Sequence, residues 1–471
     1  MTGAPPALPA AVPPLVRAFL NTPGAVEAAV ERFGSPAHLL FPQVYLDNLG
    51  RLRDVLDRHR IDYRICYAFK VNRSRAFLRT AEASGLAVDV ASEQEWAAAR
   101  EAGFDPARIE VTGPKGERFL RALIGSGVTV NVDNLWELER LAALGDGVPV
   151  LVRVSGFPGS AVSRFGIALA EMDDALAIAA AHRDRINLRG FAFHLDSGAT
   201  AERVRAAQEC LGLIERAYTH GLAPTVLDLG GGLRQVFTAD PDRFDAYVAR
   251  LRAALLGRGE PMAWGGNTFG FHMDDTGVHG TPVFHKYANA VPATAMLDDL
   301  LAAPLDAHAG RGLAQVAAEN LLELWLEPGK ALVDQAGITV ATVEFVKRAA
   351  DGSVLVNLDI GRDTVTPADQ EVMMDPVLVG EDGPDGGPVG VFLAGRLCLE
   401  RDMISNHKVW FPRRPRPGDH VVFVNTAAYH TDLSAAGASM HPLPPKVAVV
   451  RADNGFRMCP DGEYEPALVR S

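Results

Sequence analysis

Cysteine is scarce: four residues in 471, Cys66, Cys210, Cys398 and Cys459. They lie far apart and form no Cys-x-x-Cys pair, which argues against a disulfide-built scaffold and for a reduced, cytoplasmic setting. Long apolar runs are missing too. No stretch approaches the ~18–20 residues needed to span a bilayer, so no membrane role is expected. Basic charge is not in excess. The formal net charge is -12, with both signs interspersed, which favours solubility and argues against nucleic acid as a partner. Residues 1–20 are rich in Ala and Pro without a basic start, so they read as a flexible arm and not a signal peptide. No internal repeat or coiled-coil heptad is evident.

What is present is ordinary globular material, 48% hydrophobic and 22% charged, long enough for a large core and two domains. Short β-rich runs at 63–69, 87–91, 109–112, 129–132, 150–154, 188–194, 225–228 and 322–326 alternate with helical stretches such as 93–101, 136–144, 172–182 and 201–220. Eight strands with intervening helices, and no hairpin signals between them, predict an α/β fold, a TIM-like (β/α)8 barrel. Near residue 330 the pattern changes. Runs at 338–346, 354–359, 389–393, 420–424 and 446–450 are separated by Gly, Pro and Asp turns and predict a C-terminal all-β domain, sandwich- or barrel-like. Residues 36–45 are also strand-like and are expected to pair with it. The expected division is residues 46–329 for the barrel and residues 1–45 plus 330–471 for the β domain. Between strands seven and eight, residues 261–312 form an insertion longer than an ordinary βα connection, of the kind that shapes a substrate site. Its Trp264, Phe271 and Tyr287 offer large contact surfaces beside polar Asn267, Asp274 and His285. The spacing of His272, His279 and His285 fits no standard metal site, so no metal is expected.

Five motifs carry chemistry. Lys70 ends the first strand, where desolvation would lower its pKa and make the amine a carbonyl nucleophile. His194-Leu-Asp-Ser197 closes strand six. Gly230-Gly231-Gly232 follows strand seven, and consecutive glycines let backbone N–H groups approach a phosphate closely. Glu327-Pro-Gly-Lys330 closes strand eight. The fifth motif is Cys398-Leu399-Glu400-Arg401-Asp402.

Together these motifs resemble the diaminopimelate/ornithine decarboxylase family of pyridoxal-phosphate (PLP) enzymes, the alanine racemase-type barrels, over roughly residues 35–450. Asp89-Val-Ala-Ser92-x-x-Glu95 and Ser163-Arg-Phe-Gly166 add to the likeness. The resemblance implies that Lys70 forms a Schiff base with PLP and that His194 stacks on its ring. It implies that Ser197, the three glycines and Tyr429 lie near the phosphate, and that Glu327 keeps the ring nitrogen protonated. Cys398 would protonate the carbon left by decarboxylation, entering the other subunit's site in a homodimer. Lys330, Leu399, Glu400 and Asp402 are the candidate substrate contacts.

The chain departs from the family at several points. Lys330 stands for the usual arginine, Asp196 for a glycine and Ala427 for the glycine of Gly-Ala-Tyr. Leu399 stands where diaminopimelate decarboxylases carry a glutamate, and residues 366–370 replace their Arg-Pro-x-x-Tyr stretch. Each unpaired distal group would cost roughly 1–3 kcal/mol. The expectation is a PLP-dependent α-decarboxylase acting on a non-standard amino acid or amino-acid conjugate, in specialised biosynthesis. The alternatives are a racemase or epimerase, a true diaminopimelate decarboxylase, or a PLP-binding regulatory protein. A racemase would place an arginine where Glu327 stands, and the regulatory proteins lack a second β domain.

Overall fold

Eight parallel strands close on themselves in the computed structural model, which describes residues 6–365, 371–381, 387–434 and 437–466. In chain order they are Tyr63–Ala68, Ala87–Val90, Ile109–Val111, Thr129–Val132, Val148–Ser155, Ile186–Ala192, Val226–Asp228 and Glu323–Leu326. Each pairs in parallel with the next, and the eighth returns to the first with Leu324 opposite Tyr63. This is the expected barrel, with strand ends shifted by at most two residues. Helices start where the sequence supplies caps. Ser74 Oγ accepts from Phe77 N–H at 3.1 Å to open Arg75–Ala83. Ser92 caps Glu93–Glu101 while Glu95 reaches back to Ala91 N–H at 2.7 Å, close to a capping box. Asp47–Arg234 and Pro292–Leu332 supply this unit.

The second compact unit is built from residues up to Leu46, from Gln235–Val291 and from Val333–Tyr464. It holds a nine-stranded sheet. Ala37–Leu40 lies antiparallel to the long strand Gly337–Arg348 and parallel to Lys446–Ala452, the pairing anticipated for the N-terminal segment. Only part of that segment is strand. Pro42–His59 is a helix, because Pro sits well in a first turn and Val44, Tyr45, Leu49, Leu52, Val55 and Leu56 recur at helical spacing, all buried.

Two further expectations are corrected here. Residues 6–20 are no flexible arm: Leu8 and Phe19 are fully buried, and Phe19 packs edge-on against Phe41 and Phe456. In the long insertion, Phe271 and Tyr287 are core residues, not contact surfaces. They cluster with Phe237, Phe244, Tyr247 and Met373, which draws residues 235–291 into this unit. Tyr287 Oη donates to His430 Nε2 at 3.0 Å, and His430 Nδ1–H donates to Ala428 C=O at 2.8 Å. Among the described residues no helix is long and apolar enough to cross a membrane.

Candidate active site

Inside the barrel, Cys66, Ala87, Leu151, Ala192, Val226 and Trp325 form a buried cluster. Side chains on a strand alternate, so a residue two further on faces inward as well. That rule delivers Asp89, Arg153, His194, Asp228 and Glu327 to the carboxyl end of the barrel. Lys70 arrives on the short 3-10 turn Phe69–Val71 after strand one, and strands three and four add Glu110 and Asn131. All eight strands thus contribute one polar side chain.

These groups are paired closely. Lys70 Nζ lies 2.7 Å from Asp89 Oδ2, and Asp89 is fully buried. Asn131 Nδ2 donates to Glu110 Oε1 at 2.7 Å, and Gly230 N–H donates to Asp228 Oδ1 at 2.8 Å. One oxygen each of Glu110, Asp228 and Glu327 lies within 4.8 Å of the others. Burial first, then mutual repulsion, pushes the Glu110 and Glu327 carboxyls well above the usual range; burial and Asp89 raise Asp228 to about 6. Three such carboxylates cannot all be ionised without a cation among them.

His194 is neutral, since burial and then the charges of Lys70, Arg153, Arg203 and Lys330 push its pKa down to about 3. Its Nδ1 accepts from Gly231 N–H at 3.3 Å and lies 4.0 Å from Glu327 Oε2, so the proton sits on Nε2. The glycine loop lies flat on the ends of strands six and eight. Gly230 and Gly232 have φ of 67° and 77°. A Cβ at Gly230, Gly231 or Gly232 would stand 2.1, 2.5 or 2.1 Å from the carbonyl oxygens of Phe193, Glu327 and Leu195. Beneath the loop the fully buried Arg203 donates to the carbonyls of Leu195, Gly231 and Leu229. It forms no direct ion pair among the described residues, and the Asp196 and Glu202 carboxylates partly offset its charge beneath the loop. Burial lowers its pKa to about 10.

The two departures on this unit meet each other: Lys330 Nζ pairs with the Asp196 carboxylate. Ser197, expected near a phosphate, donates from Oγ to Glu202 and accepts from Ala199 N–H at 3.2 Å, which shapes the start of helix Thr200–Thr219. In the β-rich unit Cys398 and Glu400 are exposed, and Leu399 is 53% exposed. Asp402 is not a presented substrate contact. It is buried, and its two oxygens accept from the backbone N–H groups of Arg362 and Leu397 at 2.6 and 2.7 Å, bracing the Cys398 loop. Tyr429 has φ of 66°, a left-handed backbone that is strained for a tyrosine. The methyl of Ala427 sits opposite Gly337, where a Cβ would approach it to 2.9 Å. Residues 366–370 lie outside the described residues.

Glu110, Asn131, Arg153, Asp228 and Arg203 were not among the expected site residues. The first four were readable as a charged or amide residue flanked by apolar ones inside a short strand, as in Ile109-Glu-Val and Val130-Asn-Val. Arg203 carries no such signal.

These residues fit pyridoxal phosphate. Asp89 Oδ1, Glu110 Oε2 and Asp228 Oδ2 are buried with no hydrogen-bond partner among the described residues, an anionic pocket that a protonated ring would balance. The glycine loop over Arg203 suits a phosphate.

The family model for the pyridoxal-binding domain of pyridoxal-dependent decarboxylases matches residues 48–261. The uncharacterized protein y4yA of Sinorhizobium fredii is 32% identical over 450 residues, covering 93% of this chain and 91% of that protein. A diaminopimelate decarboxylase of Actinosynnema pretiosum is 29% identical over 93% of this chain and 89% of its own. The solved diaminopimelate decarboxylase of M. jannaschii, in complex with L-lysine, shares the fold with a TM-score of 0.68 at 19% identity, covering 92% of this chain and 91% of that one. The chain belongs to the pyridoxal-dependent decarboxylase family, PLP-dependent carboxy-lyases of amino acids.

Proposed function

We propose that this enzyme removes the α-carboxylate of a non-standard amino acid or an amino-acid conjugate in specialised biosynthesis, working in the cytoplasm as a homodimer with shared sites. The observation that carries the substrate reading is Leu399. A half-exposed apolar side chain stands beside Cys398 where a distal amino group would need a carboxylate, so a compact zwitterion such as diaminopimelate leaves its far end unpaired.

When bound, PLP supplies an electron-withdrawing ring that stabilises the charge left as carbon dioxide departs. Lys70 would provide the amine that holds it covalently, with Asp89 Oδ2 at 2.7 Å orienting that amine. Glu327 would hold the proton on the ring nitrogen, and the neutral His194 ring would lie against the cofactor ring. Gly230, Gly231 and Gly232 would hold the phosphate, with the Arg203 guanidinium behind the loop; the family pattern adds Ser197 and Tyr429. Lys330, held by Asp196, and the exposed Glu400 are polar candidates for the substrate's charged ends. Cys398 holds the proton returned to the α-carbon of the partner's site. Exposed Leu399, Leu433, Met440 and Leu443 on the β-rich unit support a covering second copy.

Two measurements test this. Borohydride should fix one PLP per chain in the parent protein and none in Lys70→Ala. Carbon dioxide release should be compared for diaminopimelate, ornithine, lysine, arginine and acylated conjugates. Efficient turnover of meso-diaminopimelate, with kcat/KM on the order of 10⁴ M⁻¹s⁻¹, would overturn the substrate class.

A further inference from the structure

The Cys398 loop also borders a cavity that none of the family motifs explains. It measures about 320 Å³ and lies wholly within the β-rich unit, where residues 267–284 of the insertion face Arg362, Asp363, Glu371, Met373 and residues 401–406. One side is apolar, formed by Phe269, Val283, Phe284 and Met373. Its polar groups sort into used and unused. Glu371 is used: it accepts from His407 Nδ1 at 2.6 Å and from the backbone N–H groups of Asn406 and His407 at 2.6 and 2.9 Å. Arg362 is used too, lying 3.6 Å from Glu371 and donating to Met403 C=O at 2.8 Å. Arg401 lines the same cavity, is exposed, and makes no hydrogen bond or ion pair with any described residue. Among the described residues only the Oδ1 of Asn267 is engaged, by Phe269 N–H at 2.8 Å, which leaves its amide nitrogen to donate. Half-buried Asp363 adds an acceptor that no described residue uses.

We infer that this cavity binds the far end of the substrate, a carboxylate carried on an amide-linked arm, with Arg401 as its charged partner, Asn267 as a second donor and the Phe269–Phe284 wall against the methylenes. The inference rests on the role proposed above for Cys398. Arg401 follows Cys398 by three residues on one loop braced by Asp402, so the two side chains start within about 10 Å of each other. That is the span of an Nε-acylated lysine. A planar guanidinium also suits a carboxylate better than a lysine would, through paired N–H donors.

The test compares Nε-succinyl-L-lysine with its neutral twin Nε-succinamoyl-L-lysine, by calorimetry on the PLP-loaded enzyme. The charged compound should bind at least tenfold tighter. Arg401→Gln should reduce that preference below twofold with PLP absorbance unchanged, and Arg401→Lys should keep part of it. Equal affinities, no binding of either compound, or a preference that survives Arg401→Gln would overturn the inference. Succinate alone separates a substrate arm from a free anionic effector. Competition with succinyl-lysine supports the arm; simultaneous binding refutes it. Failure of the Lys70→Ala borohydride test would instead fall on the barrel reading, because this comparison measures affinity and not turnover.

Discussion

Gly231→Ala isolates the glycine loop from the rest of the barrel. The Gly231 backbone is outside the left-handed region, so alanine is conformationally allowed and only space is at issue. The added Cβ would stand 2.5 Å from the Glu327 carbonyl oxygen and 3.1 Å from His194 Cε1. A carbon and a carbonyl oxygen normally rest about 3.3 Å apart or more. The loop or the end of strand eight must therefore yield by about 0.8 Å. Overpacking of this size costs roughly 1–3 kcal/mol. If the strain falls on the arrangement that grips phosphate, PLP affinity should drop about 5- to 150-fold. Gly212→Ala is the control. Gly212 lies within helix Thr200–Thr219 and its Cβ would meet nothing within 4 Å. That variant should gain up to about 1 kcal/mol of stability and keep its affinity. Titration of the apo-protein with PLP, alongside thermal melting, measures both. A Gly231→Ala protein with parental affinity and melting temperature would refute the cradle.

Three other outcomes follow from the same geometry. Glu327→Gln should lower turnover by about a hundredfold or more with PLP still bound, because it removes the charge that holds the ring proton; unchanged turnover would place Glu327 outside the chemistry. Mixing inactive Lys70→Ala and Cys398→Ala dimers should restore up to about a quarter of parental activity, since random exchange makes half the dimers mixed with one intact site each, and no recovery after demonstrated exchange argues for a site within one chain. His38 and His430 are both buried and held near pKa 3, below the ordinary 6.5. Below pH 6.5 the unfolded chain binds the extra protons, so each histidine should remove about 1.5 kcal/mol of stability between pH 6.5 and 5. His38→Gln should flatten the melting-temperature slope over that window; an identical slope would show that His38 already carries its proton in the fold.

The strands were legible because each is a short apolar run between turn residues, and Lys70, His194 and Glu327 because they sit in motifs at strand ends. The inner ring was harder to see. A charged residue within a strand, such as Glu110 or Arg153, ordinarily marks a solvent face, and only closure of eight strands turns that face inward. Closure is a property of the whole sheet and leaves no local trace. Arg203 was hidden for a related reason: its helix reads as a surface helix, and only the glycine loop above it makes the guanidinium an interior group. Residues 6–20 and Tyr287 were misjudged because their partners, Phe41, Phe456 and His430, lie far away in sequence.

The Asp196–Lys330 pair bears on how this sequence could have diverged. The family pattern sets a cation at 330 beside a glycine at 196, so the charge at 330 does not depend on Asp196, whose side chain is 62% exposed. The carboxylate is the newcomer: it reaches from a position 134 residues away and pins a flexible ammonium beside the loop. Restoring glycine at 196 should therefore loosen Lys330 without unbalancing the barrel, and a graft of the ordinary family pattern can proceed one position at a time.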